Sequence, residues 1–368
     1  VKLIIFCDYQ PALLDGFFKE LDVAGFTDRL LIRKMHVSRW RDINTQVVEL
    51  FVPIFHEESP RSLAAGLSIV TYLVCATITG IIEVLKNRID GIVGIYAFPQ
   101  GLAAALTARA TRHQAAILTD GGDIDILLGN HLIRSIITSF LRGTRVVTVL
   151  SRLKETRLLS LGIESVLCPT IGVDTSKFKC TTSLSKRRTS LLFVGRLSAE
   201  KNPAILVKAC SILKREGIRF RLTMLGDGNQ RSELIKLISD LNLREEIQVK
   251  GTVAHSEIHH FFSKAGIFVL PSTREGVSVA LIEAMASGCL CVVSDIADNS
   301  ALVRHMHNGL TFKAGDEDDL GRKLAWAIRE NPRRLVSMTS NARRLVEQNY
   351  SSVAVAKLLR DVILSLRG

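Results

Sequence analysis

The chain has 368 residues, beyond the roughly 250 to 300 at which a single hydrophobic core stops growing, so two domains are expected. With 47% apolar and 23% charged residues it has the make-up of a globular chain, which excludes disorder and collagen-like repeats. Its net charge of +12 divides as +2 over residues 1–170, +3 over 171–320 and +7 over 321–368, which speaks against a uniformly basic nucleic-acid surface. Seven cysteines, an odd number with no C-x-x-C pair, predict neither a disulfide framework nor a zinc site, and they fit a reducing, cytoplasmic compartment.

Val1–Asp8 reads as a first β-strand, because its five-residue apolar run is too short for a signal-peptide core. Further strands are expected at Val47–Phe55, Gly91–Phe98, Ala115–Thr119 and Val146–Leu150, with helices between them. Ser62 to Ile82 is 21 residues without a charge, enough at 1.5 Å per residue to span roughly 30 Å of hydrocarbon. Its serines, threonines and glycines, and its place between two strands of one sheet, favour a buried or membrane-grazing helix over a span. His131–Arg142 (HLIRSIITSFLR) repeats apolar residues at helical spacing beside Arg134 and Arg142. That pattern suits a surface helix packed on its own sheet, or a basic face docked on anionic lipid.

Past residue 189 the alternation is clearer. Strands are predicted at Ser190–Leu197, Arg219–Gly226, Ile247–Gly251, Gly266–Pro271 and Cys289–Ser294, and helices at Pro203–Glu216, Arg231–Asn242, Ser256–Lys264 and Val277–Ser287. This is a second doubly wound domain. Between the halves, Cys180–Thr189 is polar, basic and aperiodic, as a linker would be. Past Asp316 the pattern is helical, with breaks at Pro332 and at Asn349–Tyr350–Ser351.

Gly195-Arg196, followed by Lys201, leaves a strand and enters a helix, so two cations and free amides converge on one spot. A diphosphate suits that spot in charge and size; solvated cations at a strand end are the plainer alternative. Glu275-Gly-Val-Ser-Val-Ala-Leu-Ile-Glu283 closes the fourth strand of the second half. Gly276 permits close approach, and the amides of Val277 and Ser278 are placed to receive phosphate oxygens. If the segment were helical throughout, Glu275 and Glu283 would stand about 12 Å apart, too far for a hydrolytic pair but suited to two ends of an extended ligand.

GRLSAEKNP at 195–203, MLGDG at 224–228, VAHSEIHHFFSKAGIFVLPSTREGVSVALIEAMASGCLCVVSD at 253–295 and NGLTF at 308–312 together resemble the retaining GT-B glycosyltransferases of family 4. The resemblance is strong over 186–330 and weaker before 175. It implies an α/β fold of two Rossmann-like doubly wound domains facing a central cleft, with a C-terminal helix crossing back to the first. The domains would be 1–175, the acceptor lobe, with returning helix 351–368, and 190–350, the donor lobe, joined by a linker at 176–189. The resemblance also implies that Arg196 and Lys201 bind the donor diphosphate, Glu283 the ribose hydroxyls and Glu275 the transferred sugar. Gly195, Gly226, Val253, Gly276, Val277 and Ser278 would line the donor pocket.

The first lobe departs from the family pattern. Asp120-Gly-Gly-Asp123 stands where many members read His-Gly-x-Asp, so Asp120 binds a sugar hydroxyl in place of the histidine, or the donor differs, or activity is reduced. Gly16 alone represents the usual glycine pair of the first loop. Asp123-Ile-Asp125 imitates a metal-binding D-x-D, and His259-His260 a metal ligand pair, but the two cations make a metal dispensable. The expected activity is metal-independent, retaining transfer of a sugar from a nucleotide diphosphate sugar to a lipid-linked or saccharide hydroxyl. It is expected at the cytoplasmic face of an anionic membrane surface, with no cofactor and no nucleic acid. The alternatives are a non-catalytic GT-B-like subunit that binds a nucleotide sugar or lipid carrier, and a sugar-nucleotide epimerase.

Overall fold

The computed structural model describes residues 2–6, 27–33, 46–50, 63–119, 131–149, 152–169, 172–179 and 182–365. The chain divides into two compact units, Val1–Gly172 with Ser352–Gly368, and Val173–Ser351.

The first unit runs β1 (Lys2–Phe6), β2 (Thr27–Arg33), β3 (Gln46–Leu50), α1 (Leu63–Lys86), β4 (Gly91–Ile95), a π turn (Ala97–Gly101), α2 (Leu102–Thr111), β5 (Ala115–Leu118), α3 (His131–Arg142), β6 (Val146–Val149), α4 (Arg152–Leu159) and β7 (Val166–Leu167). Its strands form one sheet in the order β3-β2-β1-β4-β5-β6-β7, and the pairs run parallel. Leu3–Phe6 of β1 are buried, as in a parallel sheet covered on both faces. Two strands stand beyond those expected. β2 has only Leu30–Ile32 as an apolar run, flanked by Asp28, Arg29 and Arg33, and its pairing with β1 and β3 supplies what the local pattern lacks. β7 is two residues long, below any readable period.

α1 is the crossover between β3 and β4. Tyr72, Ala76 and Val84 are buried with Ile4, Phe6 and Ile92. A Cβ on Gly80 would lie 2.6 Å from Phe6 Cζ and 2.8 Å from Thr107 Oγ1, so a glycine is what lets the helix approach β1 and α2 this closely. The opposite stripe, Val70, Val74, Ile78, Ile82 and Leu85, is 42% to 77% exposed. By length and composition Ile69–Lys86 could cross a membrane, yet one of its faces is a layer of this unit.

The second unit runs α5 (Leu184–Arg187), β8 (Ser190–Val194), α6 (Pro203–Arg215), β9 (Arg221–Leu225), α7 (Arg231–Asp240), β10 (Ile247–Gly251), α8 (His255–Lys264), β11 (Ile267–Leu270), α9 (Val279–Ala286), β12 (Leu290–Ser294), α10 (Ala297–Leu302), β13 (Leu310–Phe312), α11 (Glu317–Arg329) and α12 (Pro332–Asn349). The sheet order is β10-β9-β8-β11-β12-β13, again parallel, with β13 an addition to the strands expected. Alternation along the strands divides the core. Phe193, Met224, Val269 and Val292 join α6, α7 and α11 on one face, and Leu192, Leu225, Phe268 and Val293 join α8, α9 and α12 on the other. Helix starts follow local chemistry: Asp316 accepts from Asp319 N at 2.8 Å before α11, and Asn331 accepts from Arg333 N at 2.9 Å with Pro332 opening α12.

The segment expected to be a linker is, where described, part of this unit. Phe178 is buried against Phe262. Arg187, 6% exposed, donates to the carbonyls of Ala265, Ser287 and Gly288, which close the C-terminal ends of α8 and α9. A cation there satisfies orphan carbonyls and complements both helix dipoles, a role that an aperiodic basic sequence does not announce. The unit begins at Val173, whose N–H donates to Tyr350 O at 2.8 Å. α13 (Ser352–Leu364) groups with the first unit, where Val362 packs on Ala116 of β5.

Candidate active site

In the second unit β8 lies between β9 and β11, so strand order reverses there, and loops at the carboxyl ends of such strands border a ligand crevice in open α/β sheets. The loops after β8, β9 and β11 are tied together at that point. Leu197 N donates to Asp227 O at 2.9 Å, Gln230 N to Leu197 O at 3.0 Å, and Thr273 N to Glu200 O at 2.8 Å. A Cβ on Gly226, at φ 131°, would fall 1.9 Å from Gly195 O, so the β8 and β9 loops close on each other only because residue 226 has no side chain.

Sequence-predicted residues 195, 196, 201 and 275 are brought to this place. Lys201 Nζ lies 2.6 Å from each oxygen of Glu275. The Glu275 side chain is 5% exposed and that of Lys201 25%, so a largely buried carboxylate meets a cation that retains access to solvent. Arg196 is exposed on the loop beyond Gly195. Arg274 pairs with Glu200, a second tie between the loops.

The helical stretch after Glu275 is shorter than the expected Val277–Ser287. α9 starts at Val279, with Ser278 as its cap and Ser278 Oγ accepting from Leu281 N at 3.4 Å. Residues 275–278 are therefore not helical, and the estimate of two helical turns between Glu275 and Glu283 does not apply. Among the described residues, the N–H groups of Gly276, Val277 and Ser278 have no protein acceptor. Three free amides at a helix start, beside Lys201, make a place for anionic oxygens.

Glu283, 2% exposed, sits inside α9 and accepts from His255 Nε2 at 2.7 Å. The Glu283 hydrogen bond holds the His255 imidazole above its ordinary pKa, against the opposing effects of burial and of Lys177. Val253, just before α8, packs against the same core as Val277.

Asp120, Gly16, Asp123 and Asp125 lie outside the described residues. His259 and His260 stack at 3.9 Å, and no group of three metal-ligating side chains occurs among the described residues. His255 and Ser272, which are not among the sequence-predicted residues, both contact the predicted carboxylates. His255 had a signal, since it opens a helix directly after Val253-Ala254; Ser272 had none beyond its place at a strand end.

A family model described as Glycosyl transferases group 1 matches residues 176–345. Over 224 residues the chain is 29% identical to the amylovoran biosynthesis glycosyltransferase AmsK of Erwinia amylovora, covering 58% of this chain and 54% of that protein. It is 25% identical over 239 residues to the UDP-Gal:alpha-D-GlcNAc-diphosphoundecaprenol alpha-1,3-galactosyltransferase of Escherichia coli, covering 61% and 60%. The match thus spans little more than half the length of these curated relatives. Among solved structures, Anabaena Alr3699/HepE in complex with UDP and glucose superposes with a TM-score of 0.74 at 17% identity, over 99% of both chains. Over residues 176–345 the chain is thus similar to the glycosyl transferases group 1 family, and its two units have the GT-B fold.

Proposed function

We propose that this protein transfers a sugar from a nucleotide diphosphate sugar to a hydroxyl of a lipid-linked or saccharide acceptor, with retention of configuration and without a metal. The observation that carries the reading is the meeting of Lys201, buried Glu275 and the free amides of Gly276, Val277 and Ser278 at the strand-order reversal. As the sugar–diphosphate bond breaks, charge grows on the diphosphate, and Lys201, Arg196 and the amides are preorganised to take it. Glu275 faces the sugar, and the departing phosphate accepts the acceptor proton. Glu283 takes the ribose hydroxyls after His255 yields its place.

A lipid-linked acceptor, met at the cytoplasmic face of a membrane, is favoured by the exposed aliphatic stripe of α1, followed by exposed Lys86 and Arg88. One relative named for a diphosphoundecaprenol acceptor points the same way. A thermal-shift screen of UDP- and GDP-sugars identifies the donor, because binding to the native state raises stability. Transfer from that donor is expected to persist in excess chelator. Strict dependence on Mn²⁺ would move the diphosphate to a metal held by carboxylates and sink the metal-free mechanism.

A further inference from the structure

We infer that Ser272 keeps Glu275 in position while Lys201 is engaged by the donor diphosphate, and that Ser294 and Asn299 hold Ser272 in turn. The inference rests on the reading of Glu275 as the group facing the sugar. Glu275 is held twice. Lys201 grips both of its oxygens, but through a flexible stem that is one-quarter exposed, and the proposed reaction needs the same ammonium at the diphosphate. When Lys201 turns to the donor, the hydrogen bond left on Glu275 Oε1 is the one from Ser272 Oγ, at 2.5 Å.

That second grip is built on rigid elements. Ser272 follows β11 and is fully buried. Its carbonyl accepts from Ser294 Oγ, at the end of the neighbouring strand β12, at 2.5 Å. Asn299 Nδ2, from α10, donates to Ser294 Oγ at 3.0 Å and to Ser294 O at 3.2 Å. Ser294 is 0% and Asn299 1% exposed, so these bonds compete with no solvent. Removing the Ser294 hydroxyl would leave the Ser272 carbonyl without this donor and free the loop that carries both Ser272 and Glu275.

The test compares the wild type with Ser272→Ala, Ser272→Thr, Ser294→Ala and the Ser272→Ala/Ser294→Ala double variant. Nucleoside diphosphate release is followed with UDP-galactose, UDP-glucose, UDP-N-acetylglucosamine and GDP-mannose. For the donor that turns over, Ser272→Ala is expected to lower kcat about tenfold to a hundredfold, the range for a hydrogen bond to a charged group, with donor KM within about threefold. Ser272→Thr should recover most of that loss. Ser294→Ala should fall between, and the double variant should be no worse than Ser272→Ala, since both act through one carboxylate. A Ser272→Ala variant with kcat within about twofold of wild type overturns the inference.

Crystal structures in the Lys201→Ala background, without and with Ser272→Ala, or with Ser294→Ala if the first does not fold, decide the matter without activity, because in the free protein Lys201 would otherwise hold the carboxylate in place. Displacement of the Glu275 carboxylate is expected, and an unmoved carboxylate overturns the positioning role. A wild type inactive on every donor counts against the proposed function alone, and the crystallographic comparison then decides the inference.

Discussion

Both units reverse strand order beside their first strand, β1 in one and β8 in the other, and among the described residues their distinctive side chains lie in different parts of that topology. In the second unit they lie in the loops beyond the strands, where Lys201 and Ser272 are both bound to Glu275, beside Gly195 and the free amides before α9. In the first unit the distinctive feature lies on a covering helix: α1 buries Tyr72, Ala76 and Val84 and turns five aliphatic side chains outward. The family match, 176–345, falls on the second unit. A doubly wound sheet thus fixes where a ligand can sit without fixing what the ligand is, and side chains on loops and helix faces decide that separately for each unit.

The largest effect expected from this contrast is in the loops. Glu275→Gln and Arg196→Ala should each lower transfer by about a hundredfold or more while circular dichroism and thermal midpoint stay near wild type. Unchanged turnover in both would erase the assignment of chemistry to the second unit. Next comes α1. Val74→Asp combined with Ile78→Asp should weaken co-sedimentation with anionic phospholipid vesicles by about tenfold or more, because two exposed aliphatic side chains that would enter the lipid are replaced by charges. Donor hydrolysis in solution should be unaffected, and equal vesicle binding would remove the lipid role from this helix.

The smallest effect concerns His255. Protonated His255 holds Glu283 more strongly than neutral His255, so ribose hydroxyls face their strongest competitor at low pH. Donor KM should therefore rise a few-fold as pH falls through the raised pKa of this imidazole and level off above it. Lys177 opposes the protonation, and His259, whose pKa burial and the neighbouring charges of His260 and Lys177 lower, stays neutral over that range. His255→Ala should flatten the dependence; a profile identical to wild type would show that the His255 contact does not limit donor binding.

The fold was legible to different depths in the two halves. β10 and α3 are found at the residues expected for them, and β8, β9, β11 and β12 within a few residues, because buried parallel strands and amphipathic helices leave continuous runs and clear periods. β2, β7 and β13 escaped, since two or three apolar residues make no period and their strand character comes from neighbours. The docking of Arg187 escaped for a related reason: its carbonyl partners lie near residues 265 and 288, and nothing local marks them.

For the candidate site, Arg196, Lys201 and Glu275 could be named from their places at strand ends and helix starts, whereas Gly226 and the role of Glu283, which lies inside α9, came through the motifs of the family that the chain resembles. The sequence by itself determined two α/β halves and the strand-end loops that carry charge, whereas the need for glycine at 226 comes from the closure of its loop on Gly195. Only the tertiary structure decided that Lys201 closes on Glu275, that Ser272 and Ser294 stand behind that carboxylate, and that His255 occupies Glu283. Lys201–Glu275, Ser294–Ser272 and His255–Glu283 are separated by 74, 22 and 28 residues, and Ser272–Glu275 by three in an irregular loop, so these bonds depend on strand register and loop closure, which residue order does not encode locally.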